Sequence, residues 1–493
     1  MEEAKPSIRT FFSNKTVFIT GGTGFLGKVL VEKLLRACHD LKKIYVLARA
    51  KKGKSCEKRL EEFFASPLYD RLRDERAEAM SKLFVVSGDC ELVKLGLNDA
   101  DYALLAEEVE VVFHVAATVR FDEKLKKAAY VNVRATRDLL ELGRRMRKLE
   151  AFVHVSTAFS FCPQELIDEK FYKVSVGVGD LLAIVEGSTD DHLEKITPLM
   201  CKPWPNTYTF TKAIAEDVIK NEAGSLPIAV VRPSVVIGSL REPFEGWIDN
   251  IYGPTGIFLG ISMGMVRTCV YQDGFNADQV PVDFVVNQLI SAAWNLGVQQ
   301  TRASIPIYNC VSSTDNPITW GESRRLSHRY ANEFPSIQMK WHPVFQGASD
   351  LFSFKFLHWI LHLLPAYFGD FLLALSGKKP MVAKMYGKLE KTVTLVSYFT
   401  TRQWLFKNDN TKNLLANLDE EDRKIFGFNM KEIDWDAYAS VYVKGARKYL
   451  LKESIETLPQ ARSKAFKLKL AHNLLVTVLL YLFFSLLLRI LRF

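Results

Sequence analysis

The chain has 493 residues, 48% hydrophobic and 25% charged, which excludes a disordered chain and leaves room for more than one structural unit. A formal net charge of +9 suits acidic partners such as nucleotide phosphates, coenzyme A or anionic lipid, and selects none of them. There is no zinc-type Cys/His spacing and no compact arginine-rich stripe, so neither a metal site nor nucleic-acid binding is expected.

The opening MEEAKPSIRTFF is acidic and lacks an apolar h-region, so a secretory signal is not expected and the chemistry should face a reducing cytosol. Seven cysteines, at 38, 56, 90, 162, 201, 269 and 310, are irregularly spaced and read as free thiols. A cysteine nucleophile forming an acyl thioester is an alternative, although no His or Asn is placed beside any of them by the sequence.

Thr16–Thr20 reads as a strand that ends in a glycine turn, and Phe25–Cys38 as a helix with apolar residues at Leu26, Val29, Leu30, Leu34 and Leu35. Further strands are predicted at Lys43–Ala48, Lys82–Val86, Val109–Val115, Ala151–Val155 and Ile228–Arg232, with helical stretches between them. These are near-continuous apolar runs rather than alternating ones, the pattern of a parallel sheet covered on both faces. The expected fold is α/β: a doubly wound (Rossmann) parallel sheet over residues 1–270. A substrate-binding lobe with a further strand at Ile305–Asn309 should complete it over 271–350. A C-terminal helical domain is expected over 351–460 and a membrane anchor helix over 473–488.

Thr20-Gly-Gly-Thr-Gly-Phe-Leu-Gly27 joins the first strand to the first helix. Glycines at 21, 24 and 27 let the backbone turn sharply and approach a pyrophosphate, and the helix start offers free N–H groups. Thr20, Gly21, Thr23, Gly24, Phe25, Leu26 and Gly27 are the candidate cradle. An NAD site would carry an acid at the end of the second strand; this chain has Leu47-Ala48-Arg49 and then Lys51 and Lys52. A cation fits a 2′-phosphate, so NADPH is the expected cofactor. Asp89 is placed to accept from the adenine amino group. Ala116 and Ala117, with Thr118, are small residues where the nicotinamide half must lie close to backbone.

Tyr208-Thr-Phe-Thr-Lys212 puts a phenol and an ammonium on one helical face, where Lys212 is expected to lower the Tyr208 pKa. Ser156 and Thr157 end the fifth strand, where a hydroxyl can polarise a carbonyl from the other side. Together they predict a hydroxyl–Tyr–Lys carbonyl reduction site. Arg232-Pro233-Ser234, followed by Val235, should close over the cofactor.

Phe354–Leu375 is strongly apolar but interrupted by Lys355, two histidines, Pro365 and Asp370, and is read as a helical hairpin lining an acyl tunnel or lying in a membrane interface. Asn473–Leu488 carries no charge, and Lys464, Lys467, Lys469, Arg489 and Arg492 flank it. It reads as a tail anchor with a cytosol-facing catalytic domain, at the endoplasmic reticulum or the peroxisome.

The glycine turn, HVAATVRF at 114–121, VHVSTAF at 153–159, YTFTK at 208–212 and VRPSVV at 231–236 resemble the fatty acyl-CoA reductase family of extended short-chain dehydrogenases. The more specific EPFEGWIDN at 242–250, GPTG at 253–256, VPVDFVVN at 280–287, YNCVSS at 308–313 and Phe399-Thr-Thr-Arg-Gln-Trp404 resemble it too. The resemblance implies reduction of acyl-CoA by two NADPH to a primary alcohol and free CoA, through an aldehyde. It gives Tyr208 the proton-donor role, Lys212 the supporting cation and Thr157, with Ser156 adjacent, the carbonyl-polarising role. A steroid or other lipid carbonyl reductase is the enzymatic alternative, and an NADPH-binding scaffold the non-enzymatic one.

Overall fold

The computed structural model describes residues 5–49, 56–299 and 304–491. They form two compact units, through which the chain passes repeatedly: Met1–Trp247, Asp278–Ile318 and Trp404–Ile433 make the first, and Ile248–Ala277, Thr319–Gln403 and Asp434–Phe493 the second. The contiguous boundaries expected from sequence do not follow this division, because Ile307–Cys310 returns to the sheet of the first unit and Leu405–Phe406 pairs with Leu166–Ile167 of that unit.

That sheet has seven parallel strands: β1 (Thr16–Thr20), β2 (Lys43–Ala48), β3 (Leu83–Ser87), β4 (Val111–His114), β5 (Ala151–Val155), β6 (Ile228–Pro233) and β7 (Ile307–Cys310). Their spatial order is β7-β6-β5-β4-β1-β2-β3. The chain runs one way from β1 to β2 and β3 and then crosses back to β4, so the order reverses beside β1. A ligand crevice opens at such a switch point, outside the carboxyl ends of the strands. β1, β5 and β6 are buried at every residue, as their near-continuous apolar sequences imply. The helix α1 (Phe25–Ala37) leaves β1, and α2 (Thr207–Glu222) precedes β6. The helix α3 (Val282–Val298), buried from Val282 to Leu296, packs on β5 and β6.

The second unit is helical. It has a small core of Cys269, Val270, Ala348, Phe354 and Val393. Phe354–Leu375 is not a hairpin in itself. It is part of one helix over Leu351–Leu375, with a π-turn at Trp359–Leu363 immediately before Pro365. The wider turn accommodates a residue that cannot donate to the preceding carbonyl ladder. The hairpin is completed only by the next helix, Val382–Thr400. The interrupting Asp370 has a local use: its carboxylate accepts the N–H groups of Met381, Val382 and Ala383 at 2.8, 2.8 and 2.9 Å and so caps that second helix. The tail is longer than its apolar run, a single helix from Leu458 to Leu491.

Candidate active site

The glycine turn is built by exclusion of side chains. Gly21 has φ +75, and a Cβ there would come within 2.5 Å of the Ala116 nitrogen, on the chain leaving β4. A Cβ on Gly27 would meet the Gly21 carbonyl oxygen at 2.2 Å. Gly24 caps α1 with no side-chain hydrogen bond. Thr23 and Gly24 are exposed and Phe25 and Leu26 half-buried, so the helix start is open to a ligand. This cradle fits a dinucleotide pyrophosphate. Phe25 stacks on Trp247, with ring centroids 5.4 Å apart and planes at 12°. Thr20 departs from the predicted set. It is fully buried, and its hydroxyl is paired with His114 Nδ1 at 2.7 Å, inside the fold.

Arg49 is exposed just past β2, and Asp89 lies half-buried beyond β3. Both act on the Cys90 thiol, which burial, aided by Asp89 and opposed by Arg49, raises to about 12. The two residues predicted to meet the adenosine end therefore share one corner. Lys51 and Lys52 lie outside the described residues. Ala116, Ala117 and Thr118 are half-buried on the loop after β4. Asn132 holds that loop: its Oδ1 accepts the Thr118 N–H at 3.0 Å, and its Nδ2 donates to Thr211 Oγ1 of α2 at 2.9 Å.

Thr157 follows β5, and its hydroxyl lies close enough to the Tyr208 phenol to oppose the rise in its pKa. Lys212, one turn further along α2, is buried and donates to the Val155 carbonyl at 2.7 Å. Thr157, Tyr208 and Lys212 are thus gathered at the end of β5. The electrostatics differ from expectation. Burial pushes Tyr208 up to about 12, and the neighbouring Thr157 hydroxyl opposes the rise. Burial pushes Lys212 itself down to about 8, with Glu216 opposing. At neutral pH the phenol therefore carries its proton, and Lys212 is still mostly an ammonium, within about a unit of its pKa. The ring of Tyr208 stacks on Phe121 at 6.0 Å.

Two predicted residues face elsewhere. Successive residues at a strand end point to opposite sides, and Ser156 turns away from Thr157 to donate to Glu216 Oε1 at 2.5 Å. Arg232 does not close over a cofactor. It is fully buried and forks onto Glu216 through Nε and a terminal nitrogen at 2.9 and 2.5 Å. Ser160 adds a third donor to the same carboxylate at 2.9 Å. Glu216 was missed in the sequence, although its spacing of four from Lys212 places it on the same helical face. Beyond β6, Pro233 ends the strand, Ser234 donates to the Asp278 carbonyl at 2.5 Å, and Val235 starts a short parallel pair with Gln279.

The cysteine alternative loses support. Cys38, Cys90, Cys162, Cys201, Cys269 and Cys310 are buried, and burial raises the thiols of Cys38, Cys201 and Cys269 to about 12. Inert buried thiols of this kind are poor nucleophiles.

An NAD-binding family model described as male sterility protein matches residues 19–289, and a second with the same description matches residues 361–453. The chain is 39% identical over 464 residues to fatty acyl-CoA reductase 1 of Rattus norvegicus, covering 94% of this chain and 90% of that protein. It is 37% identical over 465 residues to fatty acyl-CoA reductase wat of Drosophila melanogaster, with the same coverage. Among solved structures, the terminal R domain of the myxalamid PKS-NRPS pathway superposes with a TM-score of 0.58 at 18% identity, covering 90% of this chain and 93% of that one, a likeness of fold alone. A glycine cradle at the switch point, a phenol and lysine beside the end of β5, and similarity to these reductases over 94% of the chain converge: the chain belongs to the fatty acyl-CoA reductase family.

Proposed function

We propose that this protein reduces long-chain fatty acyl-CoA to the primary alcohol at the expense of two NADPH, releasing CoA thiol. The observation that carries the reading is Lys212, buried one turn along α2 from Tyr208 and donating to the Val155 carbonyl at 2.7 Å, two residues before Thr157. A bound reduced nicotinamide supplies the hydride. Gly21, Gly24 and Gly27 make room for its pyrophosphate, and the open start of α1 offers it N–H groups. Thr157 and Tyr208 donate to the thioester carbonyl oxygen and hold the negative charge that develops there. Collapse of the resulting hemithioacetal oxyanion expels the CoA thiolate and leaves the aldehyde. In the second reduction the oxygen becomes an alkoxide, far more basic than a phenolate, and takes the Tyr208 proton. Lys212, held by the Val155 carbonyl, offsets the charge left on the phenol. Ser156 and Arg232 serve by fixing Glu216 behind Lys212.

The test is a substrate panel with purified protein and NADPH. Long-chain acyl-CoA should be reduced and steroid ketones should not. Turnover of a steroid ketone in preference to acyl-CoA would replace this reading, and binding of NADPH with no turnover on any carbonyl would favour a scaffold.

NADPH over NADH is supported by exposed Arg49 and by the lack of an acid directly after β2. Arg49→Ala should raise KM for NADPH and leave NADH nearly unchanged. A lost charge-assisted contact to phosphate costs about 1.5–3 kcal/mol, or roughly 10- to 100-fold. Equal effects on both cofactors would mean that Arg49 does not meet the 2′-phosphate.

The uncharged run Asn473–Leu488 supports a membrane anchor with the catalytic groups on the cytosolic side of the endoplasmic reticulum or peroxisome. In the structure this part of the tail helix is exposed all round, as suits lipid rather than water. At ~1.5 Å per residue the run is ~24 Å long, close to the hydrocarbon thickness once flanking cations snorkel. Ending the chain after Lys469 should move the protein to the soluble fraction with activity on short, soluble acyl-CoA intact. Retention through carbonate extraction would move the anchor elsewhere, and a soluble, folded but inactive product would make the tail part of the active fold.

A further inference from the structure

The helix Leu351–Leu375 has two faces of opposite character. The inner face is fastened to the second unit. Phe354 is in its core, and buried His362 accepts the Arg267 backbone N–H through Nε2 at 2.8 Å. The His362 ring also stacks on Tyr386, with centroids 4.7 Å apart. The outer face is apolar and bare: Phe352, Phe356, Trp359, Phe368, Phe371 and Leu375 are all exposed, Phe368 at 64% and Phe371 at 58%. Scattered surface hydrophobes need no explanation, but a row of aromatic rings along one helix marks a contact surface. The turn and helix that follow bring exposed Lys378, Lys379, Lys384 and Lys388 alongside in the chain.

We propose that this face is a second membrane contact, in which Leu351–Leu375 lies flat in the interfacial layer of an anionic phospholipid bilayer. Its rings enter the boundary between headgroups and acyl chains, and the lysines meet phosphate and carboxylate headgroups. Aromatic side chains with a cationic rim are the composition that such a layer selects. The helix does not span. One face is committed to protein by Phe354 and His362, and its end is tied back through Asp370 to Met381, Val382 and Ala383. The charged turn at Lys378 and Lys379 would be costly in hydrocarbon. A second protein copy would have to match the lysines with acids, whereas an anionic bilayer supplies that charge without further design. The tail helix belongs to the same unit, and the proposal rests on the tail reading only for bringing the chain to a bilayer.

The test uses the full chain in a Cys56→Ser background, the other six cysteines being buried. Single variants Phe356→Cys, Phe368→Cys, Leu480→Cys in the tail and Glu141→Cys on the first unit are labelled with an environment-sensitive fluorophore. Each is reconstituted in phosphatidylcholine–phosphatidylserine vesicles with lipid-borne quenchers at shallow or deep positions. Labels at 356 and 368 should be quenched by the shallow probe, about 5–10 Å below the headgroups. The label at 480 should be quenched by the deep probe, and that at 141 by neither. Quenching at 480 with 356 and 368 behaving like 141 overturns the proposal and leaves the tail reading standing. Deep quenching at 368 replaces it with a span, and label-to-label transfer without lipid quenching replaces it with a second copy. No quenching at any position removes both the proposal and the tail anchor.

Discussion

Tyr208→Phe is expected to lower alcohol formation by roughly 10²–10⁴-fold, the usual contribution of a positioned general acid, while the cofactor still binds. The phenol is raised to about 12, so at neutral pH it holds the proton that the account requires of it. Removing the hydroxyl deletes that proton. The ring remains to stack on Phe121, and the backbone of α2 is untouched. The loss should appear in kcat, with an unchanged cofactor dissociation constant by fluorescence titration. It should be at least as large with free aldehyde as substrate, because that step ends in an alkoxide. Retention of a tenth or more of wild-type turnover would assign the acid to another group.

The second large effect is expected at a residue that touches no substrate. Glu216 and Arg232 are both fully exposed to protein and closed to solvent, paired at 2.5 Å, with Ser156 and Ser160 as additional donors to the carboxylate. Breaking a buried pair from one side leaves an uncompensated charge and costs about 3–5 kcal/mol. Glu216→Leu should lower the denaturation midpoint accordingly. Adding Arg232→Met should recover part of the loss, though not all, because Arg232 also donates to the carbonyls of Asp168 and Lys170 at 3.0 and 2.9 Å. No recovery in the double variant would show that the pair is not the cause. The milder Glu216→Gln separates stability from chemistry. Glu216 raises the pKa of Lys212 against burial, which leaves it at about 8. Without that carboxylate Lys212 loses its proton at lower pH. The alkaline limb of the kcat/KM profile should therefore move toward neutral pH, and an unmoved limb would mean that the Lys212 charge is not required.

The strands were legible because each is a short, near-continuous apolar run bounded by turn residues: β1, β2 and β5 fall at the residues expected, and the others within two or three. The glycine cradle was legible for a similar local reason, since a backbone that excludes every Cβ leaves glycine in the sequence. The orientations of Ser156, Thr20 and Arg232 were not. Which side of a strand end meets the ligand depends on what lies behind it, and Glu216 and His114 draw those three side chains inward over long sequence separations. The rise of the Tyr208 pKa was hidden for the same reason, because spacing places Lys212 on the right face but says nothing of burial. The interleaving of the two units has no compositional mark, as the segments that cross between them are ordinary strands and helices. Asp370 looked like an interruption of a greasy segment, and only the return of the chain at Met381–Ala383 gives it a partner.

The central claim is that one site carries out two successive reductions of a thioester. Its most direct test is stoichiometry with the purified full chain and a single long-chain acyl-CoA. Two NADPH should be oxidised per CoA thiol released, with primary alcohol as the product and little free aldehyde in solution. One NADPH per CoA with aldehyde accumulating, or NADPH oxidation without any CoA release, would contradict it.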